Sequence, residues 1–326
     1  MKPFAPIAAA LALALILGTH PTCAAPIKTI VDGLGRTVEL SQPSETPSAP
    51  TAFLPSQTHT PPTTSSTTQP ASTPHILRTV SLAPVVSELM HSIGAFHNLV
   101  GISAYADTHG AKLPSIGTTY SPDWEKIAAL SPDVAILPAI ADKSVEKRLT
   151  QCKIKCVYLH PEGLKNIPRD IVLLGEIFNR QPQAYKLAAD FDKLFPPTPA
   201  PHQQPVKRPR AVFIFGGISA GKNSYVSDIL NSFGFENIAD KIGKPWVILP
   251  REFVVRENPE AVFAAASSES EKAEILRALG RDKAWKNTSA VKNKKIFFIP
   301  YSEIILPDAG VLNAARRIIN ARKNFP

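Results

Sequence analysis

Cysteine is scarce in this chain: three residues in 326, at positions 23, 152 and 156. So small a number excludes a disulfide-stapled scaffold, and no second pair accompanies Cys152 and Cys156 to make a zinc site. If those two lay on one strand, their Cα atoms would stand about 13 Å apart, too far for a bridge, so two half-buried free thiols are expected. Long apolar runs are also missing. The longest, from Phe4 to Leu17, is short of the roughly 20 residues a membrane-spanning helix needs. Recognisable catalytic sets are absent as well: no Gly-x-Ser-x-Gly elbow occurs and no cysteine pairs with a histidine. Of eight histidines, His20 lies in the leader, His59, His75 and His202 lie in or beside Pro-rich stretches, and the others show no ligand spacing. The chain is therefore expected not to be an enzyme and to carry no resident metal or cofactor. An exported α/β hydrolase with a triad assembled from distant positions, or a surface adhesion protein on a Pro/Thr stalk, is the alternative of another class.

What is present begins with an export signal. Lys2 precedes the apolar run, and cleavage after Ala24 puts small residues, Thr22 and Ala24, at both required positions. A soluble periplasmic protein is expected, in preference to one lipidated at Cys23, because His20-Pro21-Thr22 is a poor run before such a cysteine. Proline is abundant, 32 residues, and unevenly spread: eight fall in 41–75 and six in 196–209. In 41–75, 24 of 35 residues are Pro, Ser or Thr, a composition that buries too little apolar surface to offset ordering. The net charge of +9 is basic, but its dense clusters, Lys207-Arg208-Pro209-Arg210 and Lys292-Asn293-Lys294-Lys295, do not interleave with aromatics. No nucleic-acid partner is expected.

A hairpin is read over 27–40. From Leu77 short apolar runs alternate with helical stretches, the pattern of α/β units with largely parallel strands. Strands are expected at Arg78–Leu82, Leu99–Ser103, Val134–Leu137, Lys155–Leu159, Ala211–Phe215, Ala261–Ala264 and Lys295–Ile299. Helices are expected at Val85–Gly94, Asp123–Leu130, Ser144–Gln151, Ile167–Phe178, Pro182–Phe195, Ser224–Phe233, Ser270–Leu279 and Asp308–Arg322. One motif echoes. Pro122-Asp123-Trp124-Glu125 precedes Pro132-Asp133-Val134, and Pro250-Arg251-Glu252-Phe253 precedes Pro259-Glu260-Ala261 at the same spacing. Two related lobes, each presenting one glutamate in a helix first turn, follow from that echo. A carboxylate there complements the helix dipole by about 0.3–1 kcal/mol, which accounts for either glutamate alone. Two acidic knobs at matched places suit a partner offering two basic sockets.

Gly216-Gly217-Ile218-Ser219-Ala220-Gly221-Lys222-Asn223 nearly spells a phosphate-cradling loop, but Asn223 replaces the required hydroxyl. It is read as a glycine-permitted turn from strand to helix. Aromatics beside strand ends are more telling, because ligands of open α/β sheets sit beyond the strands' carboxyl ends. Tyr105, Tyr120, Trp246 and Tyr301, with Ser302 and Glu303, are expected to line a cleft that stacks on a large flat ligand.

These residues resemble one family, the metal-chelate class of ABC-transporter substrate-binding proteins for cobalamin, ferric siderophores and haem, with the cobalamin-binding branch nearest. The resemblance runs through 27–40 and 76–321. It is carried by Val80-Ser81-Leu82-Ala83-Pro84 with Glu88, by 100–107, by Trp124-Glu125-Lys126-Ile127 with Leu130-Ser131-Pro132-Asp133, by Ser224–Leu230, Pro245-Trp246 and Arg251-Glu252, and by Trp285 with 290–293. It implies two Rossmann-like lobes with central, mostly parallel sheets joined by an inter-lobe helix, the class III periplasmic-binding-protein fold. It also implies a monomer that carries a metal-chelate small molecule, a corrinoid first and a ferric siderophore or haem second, to an inner-membrane ABC permease. By position Glu125 and Glu252 look like the permease-docking pair. Thr119 and Pro138 stand where the cobalamin branch has tryptophans. The expected organisation is a signal peptide (1–24), an N-terminal hairpin belonging to the first lobe (25–40), a Pro/Ser/Thr-rich linker (41–75), an N-terminal lobe (76–165), an inter-lobe helix with a Pro-rich joint (166–210) and a C-terminal lobe (211–326).

Overall fold

Four short buried strands build the first sheet: β3 (Thr79–Ser81), β4 (Leu99–Gly101), β5 (Val134–Pro138) and β6 (Lys155–Leu159). They run in the order β4-β3-β5-β6, all parallel. The computed structural model describes residues 27–41, 76–160, 162–196 and 208–326. The expected leader with Cys23, the linker beyond Ser41 and the joint over 197–207 lie outside the described residues. Among the described residues no helix is long and apolar enough to cross a membrane. The connections are α1 (Pro84–Ser92), α2 (Trp124–Leu130) and α3 (Lys143–Gln151). Ahead of this sheet, β1 (Ile27–Val31) and β2 (Thr37–Ser41) form an antiparallel hairpin. Its turn is held by buried Asp32, whose carboxylate accepts from Leu34 N, Arg36 N and the Arg36 guanidinium at 2.9–3.0 Å.

The second sheet repeats the first and adds an edge. Strands β7 (Arg210–Phe215), β9 (Glu236–Asn237), β11 (Ala261–Ala265) and β12 (Ile296–Ile299) stand in the order β9-β7-β11-β12, parallel throughout. Helices α6 (Tyr225–Ser232), α7 (Arg251–Glu257), α8 (Glu269–Arg281) and α9 (Ser289–Lys292) connect them. The likeness extends to single residues. Arg78 N donates to Asp133 at 2.7 Å, and Arg210 N to Glu260 at 3.0 Å, so in each lobe the acid after the helix-ending proline fixes the start of the neighbouring strand. Left-handed residues also recur in pairs: Gly94 and Gly234 (φ 74° and 78°), Ser131 and Asn258 (45° and 43°), Lys153 and Lys294 (62° and 56°).

Gly216-Gly217 does not lead from strand to helix; both residues have positive φ (53° and 86°) and close a two-residue hairpin between β7 and β8 (Ile218–Ala220), with Phe215 opposite Ile218. Two consecutive positive φ values are what a type I′ hairpin turn demands, and glycine meets that demand without a Cβ clash. The extra edge strand β8 then pairs antiparallel with β10 (Trp246–Val247).

Between the lobes lie α4 (Asn166–Ile177) and α5 (Gln181–Leu194), antiparallel and joined by a turn in which Asn179 is left-handed and Arg180 N returns to Gly175 O at 2.8 Å. One apolar core runs through them, from Val134, Ile136 and Val157 of the first sheet, through Ile171, Leu174, Ala184 and Phe191, to Ala211, Phe213 and Phe263 of the second. At the foot of α5, Phe195 packs on Phe233 of the C-lobe at 5.3 Å between centroids. Its 14 residues span about 21 Å at about 1.5 Å each. The helices are in close contact at Gly175, where a Cβ would meet Ala184 Cβ at 2.3 Å. Gly175→Val is therefore expected to force the pair apart and lower stability by about 1–3 kcal/mol, read as a shift of the denaturant midpoint. A midpoint equal to wild type would show that the two helices can separate without cost.

Candidate functional site

Parallel strands force each connecting helix to run back, so helix first turns and strand carboxyl ends share one edge of each sheet. On the first lobe that edge carries two tied loops. Ala104 N donates to Gly117 O at 2.6 Å, and Ile102 and Ser115 form a bridge. Tyr105 leaves the first loop with φ 69°, a conformation uncommon for an aromatic residue, and is 93% exposed. Tyr120 sits at the tip of the second, inside a turn closed by reciprocal Thr118 and Ser121 backbone bonds, and is 77% exposed. Thr119 beside it is buried, its hydroxyl donating to Leu82 O at 2.5 Å, and Pro138 is buried at the end of β5. Neither offers a surface to a ligand.

On the second lobe Trp246 is 42% exposed on β10, and its ring meets the edge of Tyr225 at 6.4 Å. Tyr225 is buried, and its hydroxyl donates to Ile304 O at 2.6 Å, which ties the base of α6 to α10 (Tyr301–Ile304). Burial and nearby Asp308 push that phenol well above its usual range, so it stays a donor at any physiological pH. Around Trp246 a pocket of about 200 Å³ is lined by Glu162 from the first lobe and by Asn223, Ser224, Tyr225, Pro245, Ile305 and Pro307 from the second. The lobes also meet directly there: Leu164 N donates to Asp228 Oδ2 at 2.9 Å.

Tyr301, Ser302 and Glu303 divide between different surroundings. Tyr301 turns toward a larger cavity of about 490 Å³ inside the C-lobe, with Phe215 5.7 Å from its ring. Burial and a hydrogen bond to Glu271 raise its phenol. Ser302 is exposed. Glu303 is held by Arg317 through two bonds, at 2.5 and 2.8 Å, so its charge is already matched. The structure thus brings Tyr105 and Tyr120 to neighbouring loops and places Trp246 in an inter-lobe pocket, while Tyr301 faces elsewhere. Glu162, Asn223, Tyr225 and Pro307 were not anticipated. For Asn223 a signal existed: it ends the glycine-rich stretch and immediately precedes Ser224, whose side chain caps α6.

Glu125 and Glu252 occupy the first turns of α2 and α7, two seven-residue helices each ended by a left-handed residue. Both are exposed, and neither carboxylate pairs with another side chain among the described residues. Cys152 is exposed and Cys156 buried, both unpaired; burial pushes the Cys156 thiol up to about 11. Among the described residues no group of three or more His, Cys, Asp or Glu side chains could hold a metal ion.

Two buried carboxyls stand near the lobe junction. Asp170 on α4 accepts from His160 N at 2.8 Å through one oxygen while the other has no partner, and burial raises it to about 7. Asp308, buried near Glu88, is likewise raised to about 7. A carboxyl with a raised folded-state pKa costs stability as pH climbs from its unfolded value near 4 to the folded value near 7, at up to about 1.4 kcal/mol per pH unit, with no change outside that window. Asp170→Asn, which can still accept from His160 N, is expected to raise the melting temperature more at pH 8 than at pH 4.5. An equal change at both pH values would contradict the assignment.

Two α/β lobes around a helical pair, with a pocket between them to which both contribute, form a two-lobed receptor architecture. The chain belongs to the periplasmic binding protein family, whose profile matches residues 80–302. It is 28% identical over 204 residues, 59% of this chain and 72% of the relative, to the vitamin B12-binding protein of Pectobacterium atrosepticum. In fold it resembles the heme-binding protein HutB of Vibrio cholerae (TM-score 0.64, 20% identity, 77% of this chain and 100% of the other). It also resembles the molybdate-binding protein MolA of Haemophilus influenzae (TM-score 0.69, 18% identity, 92% and 91%). Three ligands share one architecture, so the ligand is decided by cleft residues and not by the fold.

Proposed function

We propose that this protein, exported with removal of residues 1–24, is the periplasmic substrate-binding component of an ABC importer that captures a corrinoid such as cobalamin between its lobes. The observation that carries this reading is Trp246, a half-exposed indole on the edge strand β10, in edge contact with Tyr225 and set in a pocket to which both lobes contribute. A flat macrocycle gains stacking area on such a ring, and an indole has only two side-chain torsions to fix on binding. Tyr105 and Tyr120 would close on the ligand from the first lobe, and Ser302 would reach its polar rim. Glu125 and Glu252 would then dock the loaded receptor onto basic sockets of the permease. The chain would work as a monomer and perform no chemistry.

Haem is the second reading, favoured by the exposed phenols of Tyr105 and Tyr120, either of which could reach a metal. Calorimetric titration of residues 25–326 with cyanocobalamin, haemin and a hydroxamate siderophore separates these readings. Submicromolar binding of cyanocobalamin alone supports the first, and preference for haemin replaces it with the second.

A further inference from the structure

Two histidines meet at the loop that presents Tyr105. His109, four positions beyond Tyr105, stacks on His91 in the last turn of α1, with ring centroids 3.6 Å apart and planes within 6° of parallel. Phe96, just after α1, stands perpendicular to both rings, 5.1 Å from His109 and 5.7 Å from His91. Glu88, also on α1, lies 3.2 Å from His109 Nε2. These contacts leave the His109 side chain only 21% exposed in a loop otherwise open to solvent.

The loop needs such a hold. Its base is closed where Ile102 N donates to Pro114 O at 3.1 Å and Ile116 N to Ile102 O at 2.9 Å. From 105 to 112 the other bonds stay inside the loop: Ala106 N to Ser103 O, His109 N to Asp107 Oδ1 and Ala111 N to Thr108 O. Ala106 packs on the core, but among the described residues His109 makes the one hydrogen bond or ring contact that ties this stretch to another element. Tyr105 and His109 are both left-handed (φ 69° and 47°), a backbone that side-chain-bearing residues keep only where their surroundings hold it.

Resting on the cleft reading above, in which Tyr105 meets the ligand, we propose that His109 is a positioning residue: its stack on His91 holds the loop against α1 and keeps the Tyr105 phenol in the place where the chelate meets it. His109 acts through Tyr105 and not by touching the ligand. Apparent affinity falls in proportion to the population of the competent conformer, so a freed loop that holds Tyr105 in place about a tenth of the time binds about tenfold more weakly. The loss cannot exceed what Tyr105 itself contributes.

The test titrates cyanocobalamin, haemin and a hydroxamate siderophore into wild type, His109→Asn, Tyr105→Asn and the double variant, because asparagine accepts the left-handed backbone that both positions require. For the chelate that binds, His109→Asn is expected to weaken affinity about tenfold on its own and less than about twofold once Tyr105 is replaced, with the melting temperature little changed. A companion pair works from the helix side. His91→Ala should weaken binding by about threefold or more, and His91→Phe, which keeps a flat ring against His109, should return it to within about twofold of wild type. Wild-type affinity in His109→Asn, an equal loss in both backgrounds, or a His91→Phe variant as weak as His91→Ala overturns the positioning role and leaves the cleft reading intact. Wild-type affinity in Tyr105→Asn removes Tyr105 from the site and the positioning role with it. Failure of the wild type to bind any of the three chelates overturns the cleft reading itself.

Discussion

Trp246→Ala is expected to weaken chelate binding by about two orders of magnitude while moving the melting temperature little. Removing a half-exposed indole from an edge strand takes away its edge contact with Tyr225, while the strand pairing of Trp246 with Ala220 is made by backbone and stays. Loss of a stacking platform at the centre of a contact costs about 2–3 kcal/mol, the range typical of aromatic anchors. Trp246→Phe should restore most of the affinity, because a flat ring of smaller area still stacks; a general disturbance of the edge would not be rescued in this way. Wild-type affinity in the alanine variant would remove Trp246 from the site.

The second large effect concerns delivery. Replacing Glu125 and Glu252 together by alanine should leave ligand affinity within about twofold of wild type and abolish chelate-dependent growth in cells that rely on this receptor. The two side chains lie outside the pocket around Trp246, on helix first turns where their cost to folding is limited to the dipole contribution of about 0.3–1 kcal/mol each. Each single substitution should give partial uptake, since one knob would still fix one lobe. Loss of affinity in the double variant would place the pair in the binding site, and undiminished uptake would dismiss the docking role.

Much of the fold was legible because it is written in local chemistry. Buried apolar runs following Pro132-Asp133 and Pro259-Glu260 announced β5 and β11, and the acidic side chains after those prolines bond to the strands beside them. The duplicated lobe was visible in the same echo. What escaped was the edge of the second sheet. β8 and β10 are two or three residues long and owe their existence to a Gly-Gly hairpin, a signal that in sequence looked like the beginning of a helix-capping loop. The site followed the same division. Tyr105 and Tyr301 were expected at a cleft because they follow strands, and Tyr120 and Trp246 because they precede the helices that carry Glu125 and Glu252, signals that depend on local order alone. Glu162 and Pro307 could not be found that way, because they meet Trp246 only when the crossover after β6 and the loop before α11 (Val311–Arg322) are brought together by the two lobes. Glu303 was expected to contact ligand, whereas its pairing with Arg317, fourteen positions away on α11, has no local sequence mark.

The proposed function requires the ligand to be held between the lobes against Trp246 and not in the larger cavity of about 490 Å³ inside the C-lobe. The most direct measurement is a crystal structure of residues 25–326 with the tightest-binding chelate. A macrocycle stacked on Trp246, with Glu162 and the Tyr105 and Tyr120 loops in contact with its rim, is the predicted result. A ligand seated among Phe215, Glu271, Trp285 and Tyr301, with the inter-lobe pocket empty, would contradict it.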